Sequence, residues 1–95
     1  MPIDLTCTVC CGRNPVQADV AGEVVLMSLE RSRCYGLGSM GGEIWRRMSV
    51  PIRVGDLIDE LVLRYDAPPG VIERDVLELL GKLDQEGLIE VGPAA

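Results

Sequence analysis

The feature that most constrains this chain is the segment Tyr-Gly-Leu-Gly-Ser-Met-Gly-Gly-Glu-Ile-Trp at residues 35–45. It joins the end of a predicted strand to the start of a predicted helix, because Gly38 and Ser39 break the strand and Ser39 can cap a helix. With no Phe in the chain, its large apolar residues are expected to anchor both elements in one small core. These residues are Tyr35, Leu37, Ile44 and Trp45.

The order of the predicted elements indicates an α+β fold. Alternation and turn signals predict strands at residues 16–20, 23–30 and 33–37. Connections of about two residues are too short for parallel crossovers, so these strands form an antiparallel meander. Apolar residues at helical spacing predict helices at about 40–48, 53–65 and 69–86, with Gly87 ending the last. The expected architecture resembles a winged helix-turn-helix, with a three-stranded sheet packed on three helices.

The chain is long enough for one domain with one modest core. Residues 1–15 form a Cys-containing N-terminal arm, predicted to be loosely ordered or to add an edge strand. Residues 16–91 form the globular domain, in which residues 88–91 are a candidate for a short terminal strand. Residues 92–95 are a tail.

Composition excludes several functions. Fifteen acidic residues against nine basic ones, with a single Lys, give a net charge of −6 and argue against nucleic-acid binding. The absence of His removes the usual general base and the commonest metal ligand, so no catalytic residues are predicted. No apolar run is long enough to span a membrane and no signal peptide is recognisable. We therefore expect a cytoplasmic protein without a membrane partner.

The four cysteines raise the alternative of a metal or redox site. Cys7, Cys10 and Cys11 lie close together, and Cys34 stands alone. Structural zinc favours two close pairs of ligands, so a lone distal Cys34 fits poorly. A cytosolic chain has no need of disulfides. The prediction is therefore no metal and no cofactor.

The segment at residues 35–45 also carries a family resemblance. Tyr35-x-Leu37 followed by Gly41 and Ile44-Trp45 resembles the Y-x-L-N-x-x-G-x-x-I-W signature of the PqqD family, also called RiPP precursor recognition elements. The resemblance covers about residues 16–91. It departs from the signature at Gly38, where the family has Asn, and in the cysteine-bearing arm. Further agreement comes from Asp19-x-x-Gly22, Arg64-Tyr65, Asp75-Val76, and Leu83 with Gly87-Leu88.

The resemblance implies a non-catalytic adaptor that binds the leader segment of a ribosomally made precursor peptide. The leader would add as a strand to the third strand, in the cleft with the third helix. Its partners would be the leader peptidase and the cyclase of a lasso-peptide pathway. Two alternatives remain open: a peptide chaperone of pyrroloquinoline quinone biosynthesis, and a small winged-helix DNA-binding regulator using Arg46 and Arg47.

Strand addition also fits the residues themselves. The strand at residues 33–37 has no Lys or Pro to block pairing, and Gly36 lets another backbone approach closely. The same free edge leaves pairing with a second copy, and thus a homodimer, open. Cys34 and Gly36 alternate to the face opposite Tyr35 and Leu37. The candidate leader-binding residues are Arg33, Cys34, Tyr35, Gly36, Leu37, Ile72, Asp75, Leu79, Lys82 and Glu86.

Overall fold

The structure is a computed structural model that describes residues 3–13 and 15–92. Within these residues it contains three helices and two three-stranded antiparallel sheets, which confirms the predicted α+β class. The strands are β1 (Thr8–Cys11), β2 (Val16–Val20), β3 (Glu23–Ser28), β4 (Arg33–Leu37), β5 (Ile52–Arg53) and β6 (Ile89–Gly92). The helices are α1 (Ser39–Arg47), α2 (Val54–Arg64) and α3 (Pro69–Gln85).

The predicted meander is the sheet β2–β3–β4, with β3 in the middle. Its first turn consists of Ala21 and Gly22, whose φ angles of 54° and 85° are those of a type I′ turn. The second connection spans residues 29–32 and includes Ser32 at φ 53°. Strand β3 ends at Ser28, two residues earlier than predicted, because this connection takes four residues instead of the predicted two.

The second sheet corrects the prediction for the N-terminal arm. Strand β1 is neither loosely ordered nor at an edge, since it lies between β5 and β6. It pairs with β5 from Thr8 opposite Arg53, and with β6 from Thr8 opposite Gly92. Val9 is fully buried in the core. The arm is thus part of the packed structure, while the predicted tail lies outside the described residues apart from Gly92.

The ends of α1 and α3 follow different rules. Helix α1 begins at Ser39 with Gly38 as its N-cap, and no side chain caps it, so the predicted Ser39 cap is wrong. The first backbone hydrogen bond of the helix is donated by the Gly42 N–H to Gly38 O at 2.7 Å. Helix α3 ends as predicted: Gly87 has φ 73°, and the Leu88 N–H donates to Leu83 O at 2.9 Å in a Schellman motif.

The core lies between the meander, the helices and β1, and it is almost entirely aliphatic. Trp45 is its one large aromatic residue at 3% exposure, and its Nε1–H donates to Gln17 Oε1 at 2.8 Å. In the part of the chain that is described, no helix is both long and apolar enough to cross a bilayer. The core residues are Val9, Val24, Leu26, Leu37, Ile44, Trp45, Met48, Val54, Leu57, Ile58, Leu61, Ile72, Val76, Leu80, Leu83, Leu88 and Ile89.

Candidate functional site

Strand β4 is an edge strand, and the register shows which of its backbone groups point outward. The residues flanking a type I′ turn, here Val20 and Glu23, form a hydrogen-bonded pair, and bonded and non-bonded pairs alternate from there. The odd-numbered residues of β3 therefore bond to β2 and the even-numbered ones to β4. Since Leu26 pairs with Tyr35, the N–H and C=O groups of Cys34 and Gly36 point away from the sheet.

A cleft of about 530 Å³ lies between this edge and the C-terminal half of α3. The elements run antiparallel, so Arg33 lies near Glu86 and Leu37 lies near Leu79. The cleft therefore follows β4 from Tyr35 to Leu37, and Arg33 lies beyond its Glu86 end. Its lining residues are Tyr35, Gly36, Leu37, Leu79, Lys82, Leu83, Gln85 and Glu86.

The floor of the cleft is apolar. Alternation on β4 turns Tyr35 and Leu37 toward the helices, because their partners Leu26 and Val24 are buried. Leu37 is 5% exposed, whereas Tyr35 and Leu79 are only partly buried and keep surface for a ligand. Helix α3 supplies Leu79 and then Leu83 one turn later. The cleft thus offers apolar contacts next to a free row of backbone hydrogen-bonding groups.

Six of the ten predicted site residues line this cleft: Tyr35, Gly36, Leu37, Leu79, Lys82 and Glu86. Cys34 contributes its outward backbone, while its side chain lies on the opposite face of the sheet. Asp75 lies in an adjoining depression of about 260 Å³, together with Glu78, Leu79 and Lys82. Arg33 lies at one end of the cleft, where its guanidinium is 3.5 Å from Glu86.

Ile72 requires a correction, because it is fully buried in the core and presents no surface to the cleft. Its position one turn before Val76 on the apolar stripe was the signal for core packing. The prediction also omitted three residues. Leu83 and Gln85 line the cleft, and Arg31 donates to Glu86 Oε2 from Nη1 at 3.1 Å. Leu83 lies one turn beyond Leu79, so helical spacing could have identified it.

The Tyr35 hydroxyl is an unusual group in this cleft. Its oxygen is shielded from solvent, and it forms no hydrogen bond with any residue that the structure describes. Burial and the neighbouring Glu86 carboxylate raise the pKa of the Tyr35 hydroxyl, so it stays a neutral donor at ordinary pH. The hydroxyl lies near the Glu86 carboxylate and the Arg33 guanidinium, and an acceptor on a ligand in the cleft would give it a hydrogen bond.

A second cleft of about 570 Å³ lies between the turn at Leu5, α2 and the start of α3. Backbone groups beside it are already bonded: the Val54 N–H donates to Cys7 O at 2.9 Å and the Gly55 N–H to Leu5 O at 3.0 Å. It is slightly larger than the β4 cleft, yet the edge strand that reaches it, β5, has only two residues, of which Arg53 lines the cleft. We therefore take the β4 cleft as the candidate site.

The cysteines are dispersed. Cys11 Sγ donates to Trp45 O at 3.3 Å, and Cys7 Sγ lies 3.6 Å from Asp4 Oδ1. Cys34 lies on β4, in the other sheet from Cys10 and Cys11. Across residues 3–13 and 15–92, no three or more His, Cys, Asp or Glu side chains are grouped as metal ligands would be.

Comparison with known proteins connects this geometry to a family. The family model described as "Coenzyme PQQ synthesis protein D (PqqD)" matches residues 23–89. The solved structure "TbiB1 in Complex with the TbiA(beta) Leader Peptide" is similar, with a TM-score of 0.77 and 27% sequence identity. The similarity covers 85% of this chain and 94% of that chain. No curated protein sequence matches this chain significantly.

Proposed function

The chain belongs to the PqqD family, and from this premise we propose that it is a non-catalytic adaptor that binds the leader segment of a ribosomally synthesised precursor peptide. The observation that carries the proposal is the outward-facing backbone of Cys34 and Gly36 beside an apolar cleft. The similarity to a protein solved in complex with a leader peptide supports the same conclusion.

The leader would become the fourth strand of the sheet, next to β4. An antiparallel strand continues the existing pattern and is slightly more stable per residue than a parallel one. Its backbone would exchange hydrogen bonds with Cys34 and Gly36, and these bonds form whatever the leader's sequence. Alternate leader side chains would enter the cleft opposite Arg33, Tyr35 and Leu37, where the apolar floor can select among them.

We further propose that the leader is presented to a separate leader peptidase and a cyclase in a lasso-peptide pathway. The segments Ser28-Leu29-Glu30-Arg31 and Tyr35-Gly36-Leu37-Gly38 resemble those of the stand-alone recognition elements in such pathways, which supports this assignment. Because precursor peptides emerge from ribosomes, we place the binding step in the cytoplasm. The second candidate is a peptide chaperone of pyrroloquinoline quinone biosynthesis, which the description of the matching family model favours.

DNA binding receives no support from the two adjacent arginines. Arg46 pairs with Asp19 at 3.5 Å. Arg47 donates to Glu43 from Nε at 3.1 Å and also pairs with Glu60. Their charges are thus offset within the protein, and little remains to neutralise phosphates.

The direct test is calorimetric titration of the purified protein with the leader of a precursor encoded beside its gene. A leader from a lasso-peptide precursor and one from a pyrroloquinoline quinone precursor should be compared, each with a scrambled control. Saturable binding of one leader, lost in Gly36→Pro, would support the proposal and choose between the pathways. If neither leader binds, the proposal fails. Sedimentation of the free protein would show whether a second copy competes for the same edge.

A further inference from the structure

Positive charge is concentrated at one end of the β4 cleft, although the protein as a whole is acidic. Glu86 lies between two arginines, with Oε2 3.1 Å from Arg31 and Oε1 3.5 Å from Arg33. The arginine side chains are 50% and 63% exposed, and that of Glu86 is 24% exposed. One carboxylate therefore faces two guanidinium groups. Lys82, on the next turn of α3, adds a further positive charge and forms no ion pair with the described residues.

Most of the other described arginines have carboxylates of their own, and where two share one, as Arg47 and Arg64 share Glu43, Arg47 has a second in Glu60. Arg47 contacts two carboxylates, and Arg46, Arg53 and Arg74 each have one within 4 Å. Against this background, the Arg31–Arg33–Glu86 cluster has an unbalanced positive charge and part of it is open to solvent. The other end of the cleft is more acidic, because Asp75 and Glu78 line the depression beside Leu79 and Lys82 is the one basic residue lining it.

We propose that the cleft selects leaders with an acidic side chain at the Arg31–Arg33 end, four residues after an apolar side chain at the Leu37 end. This inference rests on the proposed function and adds the chemistry of the ligand. The preferred core of the leader, in the antiparallel orientation, has the form apolar-x-apolar-x-acidic, where the second apolar residue faces Tyr35.

The spacing follows from the register of the sheet. Since Cys34 and Gly36 form the hydrogen-bonded pairs with the leader, the leader residues opposite Arg33, Tyr35 and Leu37 occupy non-hydrogen-bonded positions. Side chains at such positions lie closer together across the strands than at bonded positions, and they share one face. An acid opposite Arg33 is thus also on the side of Glu86 and Arg31. The position opposite Leu37 lies beside Leu79.

The Tyr35 hydroxyl strengthens the preference for an acceptor in this region. It lies between the positive end and the apolar end of the cleft and has no hydrogen-bond partner among residues 3–13 and 15–92. A leader carboxylate near Arg33 would place an oxygen acceptor close to this donor. The Glu86 carboxylate and the leader carboxylate would then both contact Arg31 and Arg33, so Glu86 would keep its ion pairs.

The test uses a displayed library of random twelve-residue peptides selected on the intact protein. A parallel selection on the Gly36→Pro variant identifies the peptides that bind through strand addition, because their enrichment should disappear there. Among them we expect enrichment of Asp or Glu four positions after an apolar residue. Replacing that acid by its amide in a selected peptide should weaken binding about three- to tenfold, the range for partly exposed, charge-assisted contacts. High salt should reduce the difference.

Two variants complete the test. Selection on Arg33→Glu should shift the enriched residue from acidic to basic, whereas Arg46→Gln, at the opposite edge of the sheet, should leave the acidic preference unchanged. Both substitutions affect exposed side chains, and circular dichroism would verify the fold. Apolar enrichment without an acidic preference, or an acidic preference that survives in Arg33→Glu, would overturn the inference and leave leader binding intact. Peptide enrichment that is the same on Gly36→Pro as on the natural protein would overturn both this inference and the proposed strand addition.

Discussion

The sheet β2–β3–β4 has two edges, and they differ in what lies beneath them. On β2 the outward backbone groups belong to Gln17 and Asp19, so both edges have free donors and acceptors. Beneath β2, however, the side chains already have partners on α1, since Gln17 accepts from Trp45 and Asp19 pairs with Arg46. Beneath β4 there is an open apolar cleft. A free edge becomes a binding site only where side chains of the added strand also find room.

The largest expected effect concerns the packing beneath β2. Trp45→Ala removes a large core side chain and should lower the free energy of unfolding by about 3–5 kcal/mol. In contrast, Trp45→Phe keeps most of the apolar volume and loses the indole donor to Gln17, at a cost of about 1 kcal/mol. Urea denaturation followed by circular dichroism measures both. Equal stability of the two variants would contradict this assignment of Trp45.

The second effect compares the edges directly. Gly36→Pro removes an outward donor on β4 and should lower leader affinity more than tenfold, while the fold loses about 1 kcal/mol or less, since proline is tolerated at sheet edges. Asp19→Pro is the matched change on β2 and should leave leader affinity intact. Calorimetry with the leader distinguishes them. Full affinity in folded Gly36→Pro would exclude strand addition at β4.

A third, smaller effect tests the floor of the cleft. Leu79→Glu puts a carboxylate where the leader's apolar side chain is expected, so affinity should fall about tenfold with little loss of stability, because Leu79 is only partly buried. Leu63→Glu on α2 is the control, since Leu63 is 89% exposed and remote from the cleft. The hypothesis predicts unchanged binding for the control. Similar losses in both variants would instead indicate a nonspecific effect of charge.

The last effect is a pH dependence of stability at Cys11, which lies on β1 in the other sheet and contacts the backbone of Trp45. Burial, with a lesser effect of Cys10, raises the pKa of the Cys11 thiol from 9.0 to about 11. The folded state therefore holds this proton more tightly than the unfolded state. The stability that this difference contributes is complete below pH 9 and is lost as the pH rises from 9 to 11. Ionisation also removes the donor to Trp45 O. Chemical denaturation across this range should show the loss, and Cys11→Ala should reduce it.

The meander and the helices were predictable because their signals are local. The alternation in residues 16–20 and 33–37, the turn at Ala21-Gly22, and the apolar stripe of α3 each specify an element within a few residues. The second sheet was not predictable in this way. Strand β5 has two residues, and β1 becomes central only because β6 arrives from the far end of the chain. No local pattern reveals such a partner.

The site residues divide in the same way, into those that local patterns identify and those that only the fold brings together. The alternation on β4 identified Tyr35, Gly36 and Leu37, and the helical period identified Leu79, Lys82 and Glu86. Ile72 was included because it shares a flank with Leu79, but burial depends on how α3 packs against α2 and the core. Arg31 was omitted because it lies in a turn, and only the fold brings it to Glu86.

The pairing of β1 with β6 has a consequence for how the chain folds. Thr8 lies opposite Gly92, so strands near the two ends of the described chain are neighbours although most of the sequence separates them. Closing so long a loop is slow, and contacts of this separation delay folding more than they affect stability. A circular permutant that joins these ends and opens within residues 29–32 would make that contact local. It should fold faster, because the pairing of β1 with β6 would form early in the permutant, whereas in the natural chain we expect it to form late.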